Sequence, residues 1–386
     1  MKKWRIAIPC SGLGHITRGI ETWTMDMGHA LHDQAVEVTV FKGAGECQHS
    51  WERTIGCVKR DSNFTKKLMA IRPGFTWRLG LATPYTFEQL TFNLRLWPHL
   101  LGDKFDIIHT QDPQIALFCQ RLRRLGLTKA KVLLAHGTEE PFSFLNKFDY
   151  LQHLAPYHRD EMQSAGWSTP EMYAIGNFID TEKFQPRDDR SLRHELGIPD
   201  DAFVACSVAA IKRHHKRIDH LLKECSQISD PNFHLIVAGS RTSETDDLIN
   251  MGRQLLGERV HFLVDFPHQR VPDIHTAADI NVLCSLKDMM PIALIEALSS
   301  GLPSITHTYP VEVWMIGQGG DAIDMSQEGT LAQMITEYIN DPDKLKSKST
   351  LARQEAVQRF ARDIIVEQIM SMYEGIMSHP KKVDHE

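Results

Sequence analysis

Several features are scarce or missing from this sequence. Nowhere in its 386 residues does an apolar run approach the roughly eighteen that a membrane-spanning helix needs. The opening "MKKWRIAIPC" is broken by Arg5 and leads straight into a glycine loop, so it reads as a first strand instead of a signal peptide. There is no C-x-x-C pair. The seven cysteines, an odd number scattered from Cys10 to Cys284, argue against a disulfide framework or a zinc site and suit a reducing cytoplasm. No short-period repeat and no low-complexity segment occurs, and only "KKVDHE" at the end reads as a frayed tail. A complete dinucleotide fingerprint is lacking too. Thr17 stands where the third glycine should permit close packing, and the second strand ends in Phe41-Lys42 with no acid for a ribose, which argues against a nicotinamide enzyme.

What is present is the composition of a soluble globular protein, 42% apolar and 24% charged, in a chain long enough for two domains with separate cores. The net charge of −6 is unevenly spread. From Arg53 to Arg78 there are seven Lys or Arg against one acid, Asp61, and "RLRRLGLTKAK", residues 121–131, adds five cations and no acid. Such runs are usually a solvated face. The alternative is a surface for an anionic membrane or a phosphate-bearing acceptor, and no nucleic-acid partner is expected.

Short β-branched runs alternate with helical patterns throughout, the pattern of an α/β protein on parallel sheets. Strands are expected at "WRIAIP", "VEVTVF", "DIIHT" and "KVLLAH", and again at "AFVACSV", "FHLIVAG", "RVHFLV", "DINVLCS" and "PSITH". The pattern runs twice, with a polar, turn-rich stretch between, "AIGNFIDTEKFQPRDDR", before the helix "SLRHELGIP" that ends in Gly and Pro. Two Rossmann-like doubly wound domains are expected, 1–178 and 179–358, facing each other across a cleft, with a closing helix at 359–380 crossing back to the first.

Ligands of such sheets sit beyond the carboxyl ends of the strands, so candidate chemistry is sought there. After the first strand, Gly12 and Gly14 form a turn that can bring main-chain N–H groups near an anion. After "AFVACSV" come Lys212, Arg213, Lys216 and Arg217, either a cradle for a diphosphate or an exposed basic turn. After "DINVLCS" come Asp288 and, eight residues on, Glu296. Pro291 suits the first position of a helix, which would aim the amides of Met290 to Ala293 outward. Glu296 would then stand about one turn in, unless it is a plain surface helix residue. His136 lies at a strand end before Gly137, where it is either structural or in the site. His214 and His215 form no metal site, since no third ligand accompanies them at metal spacing.

The stretch "DMMPIALIEALSSGLPSI" resembles the E-x7-E motif of family-4 retaining glycosyltransferases with the GT-B fold. "IGNFIDTEKFQP" is similar to that family's interdomain motif, "KRID" to its E-K-G-x-D, "HTAADINVLCS" to its strand before the site, and "FARDIIVEQIMSMYEGI" to its closing helix. The likeness is close in the second half and loose in the first. It implies that Glu296 holds ribose hydroxyls, that Asp288 and the main chain of Met289, Met290, Pro291 and Ile292 hold the donor sugar, and that Lys216 holds the diphosphate. It also places Gly12 and Gly14 near the phosphates and His136 against the sugar. There are departures. The first acid is Asp, Met289-Met290 replaces Gly-Phe, and the family's phosphate-binding Arg falls on Ile211, next to Lys212.

The activity this implies is retaining transfer of a hexose from a UDP-sugar, UDP-glucose first, to a glycan or lipid-linked sugar in polysaccharide biosynthesis. No cofactor and no metal is expected besides the nucleotide-sugar donor, and the expected place is the cytoplasm, with peripheral contact at the inner membrane face. A nucleotide-sugar epimerase and a non-catalytic nucleotide-sugar-binding protein would use the same donor residues.

Overall fold

The computed structural model describes residues 4–16, 19–71 and 83–378. Thr17, Arg72, Arg78 and the tail at 379–386 lie outside the described residues. The chain divides into two compact units, Met1–Gly176 with Val366–Glu386, and Asn177–Ile365.

The first unit is built on seven parallel strands: β1 (Arg5–Cys10), β2 (Glu37–Lys42), β3 (Glu52–Thr54), β4 (Ile107–Thr110), β5 (Lys131–His136), β6 (Tyr150–His153) and β7 (Glu171–Ala174). Their order is β3-β2-β1-β4-β5-β6-β7. Register runs from Arg5 opposite Glu37 to Cys10 opposite Lys42 on one side of β1, and pairs Ile6 with Ile107 on the other. Helices cover both faces, so the strands are buried on both sides and read as continuous apolar runs, with Ile6, Ile8, Ile108, Val132 and Leu133 all inaccessible. Each such side chain stabilises the unit by about 1.5–3 kcal/mol relative to exposure. The helix Arg362–Ser378 supplies Tyr373, whose hydroxyl bonds the buried His109 Nδ1 at 2.8 Å inside this unit.

The second unit has six parallel strands: β8 (Phe203–Val208), β9 (Phe233–Gly239), β10 (Val260–Val264), β11 (Ile280–Val282), β12 (Ser304–His307) and β13 (Gly320–Ile323). Their order is β10-β9-β8-β11-β12-β13. The expected helix is present as Ser191–Leu196 and stops at Gly197, whose φ of 69° is the left-handed conformation that a glycine adopts without strain. In both sheets the strand order reverses beside the first strand, between β1 and β4 and between β8 and β11. Ligands of such sheets bind beyond the carboxyl ends of the strands at that point.

The nine expected strands are all present, with ends shifted by a few residues at most. Four more are not apparent in the sequence. β3, β7 and β13 are short edge strands that carry Glu, Arg, Asp or Gly, and β6 buries Gln152 and His153 in place of an apolar pair. These edge strands are short and largely half-buried or exposed, which removes the apolar run that marks the central ones.

Candidate functional site

In the second unit, the loop after β8 is held in a strained form. Ile211, the position where the resembled family carries its phosphate-binding arginine, is fully buried and belongs to the core, and Lys212 beside it is half-buried. Thr242 Oγ1 donates to the Ile211 carbonyl at 2.7 Å. His215 and Arg217 both have positive φ, 71° and 51°, which costs a side-chain-bearing residue on the order of 1–3 kcal/mol. The chain tolerates this because Arg217 is tied down, its guanidinium donating to the Met325 carbonyl at 2.7 Å. Lys216, between the two strained residues, is thereby aimed at the loop that leaves β11.

There it meets Asp288. Lys216 Nζ donates to both carboxylate oxygens, at 2.9 and 2.8 Å, and His215 Nε2 stands 3.4 Å from Oδ1. Asp288 is only 9% exposed, so this is a largely desolvated pair and stronger than a surface one. The two groups expected to hold different parts of a donor hold each other in this state.

The helix after the loop begins at Ile292 and ends at Ser299. Pro291 is not its first residue, as expected from the sequence, but its N-cap, with an extended ψ of 115° that starts the helix one residue later. Met290 is buried and pinned: the Asn177 main-chain N–H donates to its sulfur at 3.0 Å and Asn177 Nδ2 to its carbonyl at 3.2 Å. Met289 and Ile292 are half-buried on either side. Further along, Phe184 is buried and its carbonyl accepts from Ser299 Oγ at 2.6 Å. The "IGNFIDTEKFQP" segment therefore props both ends of the Asp288-to-Ser299 stretch. Glu296 lies inside the helix, 3% exposed, with His268 Nε2 at 3.1 Å from its carboxylate.

The first unit holds Gly12, Gly14 and His136. A Cβ on Gly12 would lie 2.0 Å from Glu21 Oε1 and 2.9 Å from the Arg60 guanidinium. Gly14 has φ +93°, and a Cβ there would meet the Ala44 carbonyl oxygen at 1.9 Å. Gly14 is thus required by the chain's own backbone, whereas at Gly12 only the mobile ends of the Glu21 and Arg60 side chains would have to move. His136, 5% exposed, packs among histidines, with His153 Nδ1 3.2 Å from its Nδ1 and the His158 ring 5.9 Å away. Burial pushes His153 down to about 4, so this neighbour is uncharged at neutral pH.

Around the glycine loop lies a polar network without a sequence signature. Glu88 accepts from His15 Nε2 at 2.8 Å, Ser11 Oγ at 3.1 Å, the Arg60 main-chain N–H at 2.9 Å and the Arg60 guanidinium at 2.6 Å. Burial alone would raise this carboxyl, but the bonds from His15 and Arg60 outweigh it and hold it at about 2. Asp112, at the end of β4, accepts from the Ser11 N–H at 2.7 Å and from the Tyr85 hydroxyl. His15, Cys57 and Glu88 offer a nitrogen, a thiol and a carboxylate within 4.8 Å of one another. Arg60 already fills both Glu88 oxygens, and a metal ion there would face its guanidinium. Partners 28 to 101 residues apart in sequence make this network, which is why no spacing reveals it.

Arg60 thus turns inward, away from the basic face expected for residues 53–78. In the second basic run Arg123 pairs with Asp149 at 2.9 Å, and Lys131, 9% exposed, bonds the Ile376 carbonyl. Arg53, Lys59, Lys66 and Lys67 remain exposed. Among the described residues no helix is long and apolar enough to cross a membrane.

Two parallel-sheet Rossmann-like domains in one chain, each with its loops gathered where the strand order reverses, define the GT-B fold. Residues 188–355, within the second unit, match the family model described as Glycosyl transferases group 1. D-inositol 3-phosphate glycosyltransferase 1 from Catenulispora acidiphila is 24% identical over 66% of this chain and 65% of its own length. The chain spans about a third to just under two thirds of the curated relatives it matches, from 34% to 65%. Among solved structures, sucrose-phosphate synthase from Thermosynechococcus elongatus superposes with a TM-score of 0.79 at 18% identity, covering 97% of this chain and 100% of that one. HepE from Anabaena in complex with UDP-glucose does so with a TM-score of 0.73 at 17% identity, covering 96% and 100%. At these identities the structural likeness is one of fold.

Proposed function

We propose that the protein is a retaining glycosyltransferase that moves a hexose from a UDP-sugar, UDP-glucose first, to a glycan or lipid-linked sugar acceptor. The observation that carries this reading is the meeting of Lys216 and Asp288 at the switch point between β8 and β11, with Glu296 buried one turn into the following helix. A diphosphate arriving there offers Lys216 a second anionic partner. Lys216 transfers to it and releases Asp288 to accept hydroxyls of the sugar, while Glu296 accepts ribose hydroxyls. The match of residues 188–355 to a glycosyltransferase family supports the same assignment, as does the likeness of fold to a protein solved with UDP-glucose.

In this reading, rupture of the glycosidic bond leaves oxocarbenium character on the sugar and charge on the departing diphosphate, which Lys216 and the neighbouring cations stabilise. Attack comes from the face the diphosphate leaves, and the leaving phosphate takes the acceptor proton. The backbone N–H groups of Met289, Met290 and Ile292, with Pro291 between them having none, orient the sugar.

A thermal-shift screen of nucleotide sugars tests the donor. A ligand at a hundred times its dissociation constant stabilises by about 2.7 kcal/mol, so UDP-glucose should raise the melting temperature and GDP- or ADP-sugars should not. Donor that binds but is neither hydrolysed nor transferred would favour a non-catalytic binding protein, and epimerised donor without acceptor an epimerase.

The first unit adds peripheral contact with an anionic surface to this reading. Lys66 and Lys67 are exposed on the helix Asn63–Ile71, which also carries Phe64 at 61% exposure, and the adjoining helix Pro84–Leu100 exposes Leu94 and Trp97 at 63% and 41%. Each cation near an anionic membrane contributes about 1 kcal/mol, screened by salt. Equal recovery with neutral and anionic vesicles at low salt would remove this element.

A further inference from the structure

Beside the loop that carries Asp288 lies a second carboxyl. Glu312 sits in the first turn of the helix Pro310–Ile316, with 0% exposure, and among the described residues neither oxygen has a hydrogen-bond partner of normal geometry. The groups acting on it are its own main-chain N–H and that of Asp288, together with the Asp288 carboxylate and the Lys216 ammonium through space. A buried carboxylate normally needs several aligned donors or a paired cation, and here both are missing. A neutral carboxyl bears the same surroundings at far lower cost.

We propose that Glu312 is a positioning residue, an uncharged carboxyl that backs Asp288 and keeps the loop from Lys287 to Pro291 in place while Lys216 changes partners. The inference rests on the reading of Lys216 and Asp288 as donor-binding groups. Burial first, and then the Asp288 charge, push Glu312 up to about 8, against the pull of the main-chain N–H groups and of Lys216. It therefore holds its proton at neutral pH. When Lys216 turns to a diphosphate, Asp288 loses its cation. A protonated Glu312 adds no further negative charge beside the incoming anion, whereas an ionised one would repel it and push Asp288 away.

The remaining ionisable groups on neighbouring elements are engaged elsewhere. His215 stands on Asp288, Glu296 meets His268 at 3.1 Å, and His307 lies 3.9 Å from Asp324. Asp321 is held by Lys344 and Lys348, Glu355 pairs with Arg359 at 2.6 Å, and Lys287 lies over the Tyr309 ring. Of these, Lys287 belongs to the loop itself, with its ammonium over Tyr309, and the Lys216–Asp288–His215 group meets it at Asp288.

The test is Glu312→Gln, which keeps the shape and cannot ionise, with UDP as the probe. For the wild-type chain, UDP affinity measured by calorimetry should be flat from about pH 7 to 8 and then fall by up to about tenfold per pH unit. In Glu312→Gln the affinity at pH 7 should match wild type and the fall above pH 8 should vanish. Loss of tenfold or more at pH 7 in the variant, or an unchanged alkaline limb, overturns the inference. A second arm needs no ligand. The folded chain keeps a proton that an ordinary glutamate loses near pH 4.3, so the contribution of Glu312 to wild-type stability falls from about pH 4.5 to 8 and then levels, whatever the slope set by other groups. The melting temperature of Glu312→Gln relative to wild type should rise over that range, and a constant difference overturns the inference. If the variant does not fold, infrared difference spectra of the wild-type chain decide instead, by presence or absence of a protonated carboxyl band that disappears between pH 7 and 9. Should UDP fail to bind wild type at all, the proposed function falls, while the melting and infrared arms still report on Glu312.

Discussion

Lys216 and Asp288 satisfy each other in this structure, so substituting either one alters two groups at once. Asp288→Asn removes the charge proposed to face the sugar and also releases Lys216 from its ion pair. Affinity for UDP should then stay level or tighten slightly, while turnover falls because hydrogen bonds that strengthen as the sugar flattens are weakened. Charge-assisted bonds of this kind contribute roughly 1.5–3 kcal/mol, a loss of about 10- to 150-fold. Glu296→Gln should behave differently. Its carboxylate, buried beside His268, is expected to bind ribose equally in ground and transition states, so the apparent donor Michaelis constant rises and turnover changes little. Steady-state kinetics and UDP calorimetry on both variants separate the two roles, and equal weakening of UDP by both would reduce the pair of acids to a single nucleotide clamp.

At the scale of the element, the glycine loop after β1 has a purpose that does not depend on any ligand. Gly14→Ala forces a side chain into φ +93° with its Cβ 1.9 Å from the Ala44 carbonyl oxygen, so backbone must move. Destabilisation of the first unit by about 2–4 kcal/mol is expected, read as a lowered denaturation midpoint. A variant that melts like wild type but no longer binds UDP would show instead that the glycine serves the ligand. The same loop shows where sequence reading stops. Central strands such as β5 and β9 were legible because both faces are buried and the apolar run is unbroken, and Lys216, Asp288 and Glu296 were legible because each follows such a strand. Glu88, Arg60 and Asp112 were not, because they converge on Ser11 and His15 from distant segments. Glu312 escaped for a related reason. It stands in a short helix among apolar residues, and only its burial beside Asp288, 24 positions earlier, marks it out.

For the whole molecule, acid should be the weak side of the stability profile, because both units bury uncharged histidines. In the first unit burial lowers His109 to about 3 and His153 to about 4, and in the second it lowers His261 and His275 to about 4. An unfolded histidine takes up its proton near pH 6.5. The folded-state values lie below that, so the stabilisation is complete above about pH 6.5 and is lost as the pH falls toward 4. Each group contributes a slope of up to about 1.4 kcal/mol per pH unit in that window. Glu312, raised to about 8, acts in the opposite sense and offsets part of the loss only down to about pH 4.5. Glu88, held at about 2, adds its own loss only below about pH 4.5, so histidines govern the first stage of acid unfolding. Urea titrations at half-unit intervals from pH 7 to 4 should show stability falling steeply below 6.5. His275 is the cleanest single probe, since it is 1% exposed and bonds Ser300 Oγ at 3.2 Å, a contact that a glutamine can reproduce without titrating. His275→Gln should reduce the slope by about 1.4 kcal/mol per pH unit between pH 6 and 4.5. A wild-type stability that stays flat from pH 6.5 to 5 would mean that these histidines take up protons in the folded chain as readily as in the unfolded one, and burial would then not be keeping them neutral.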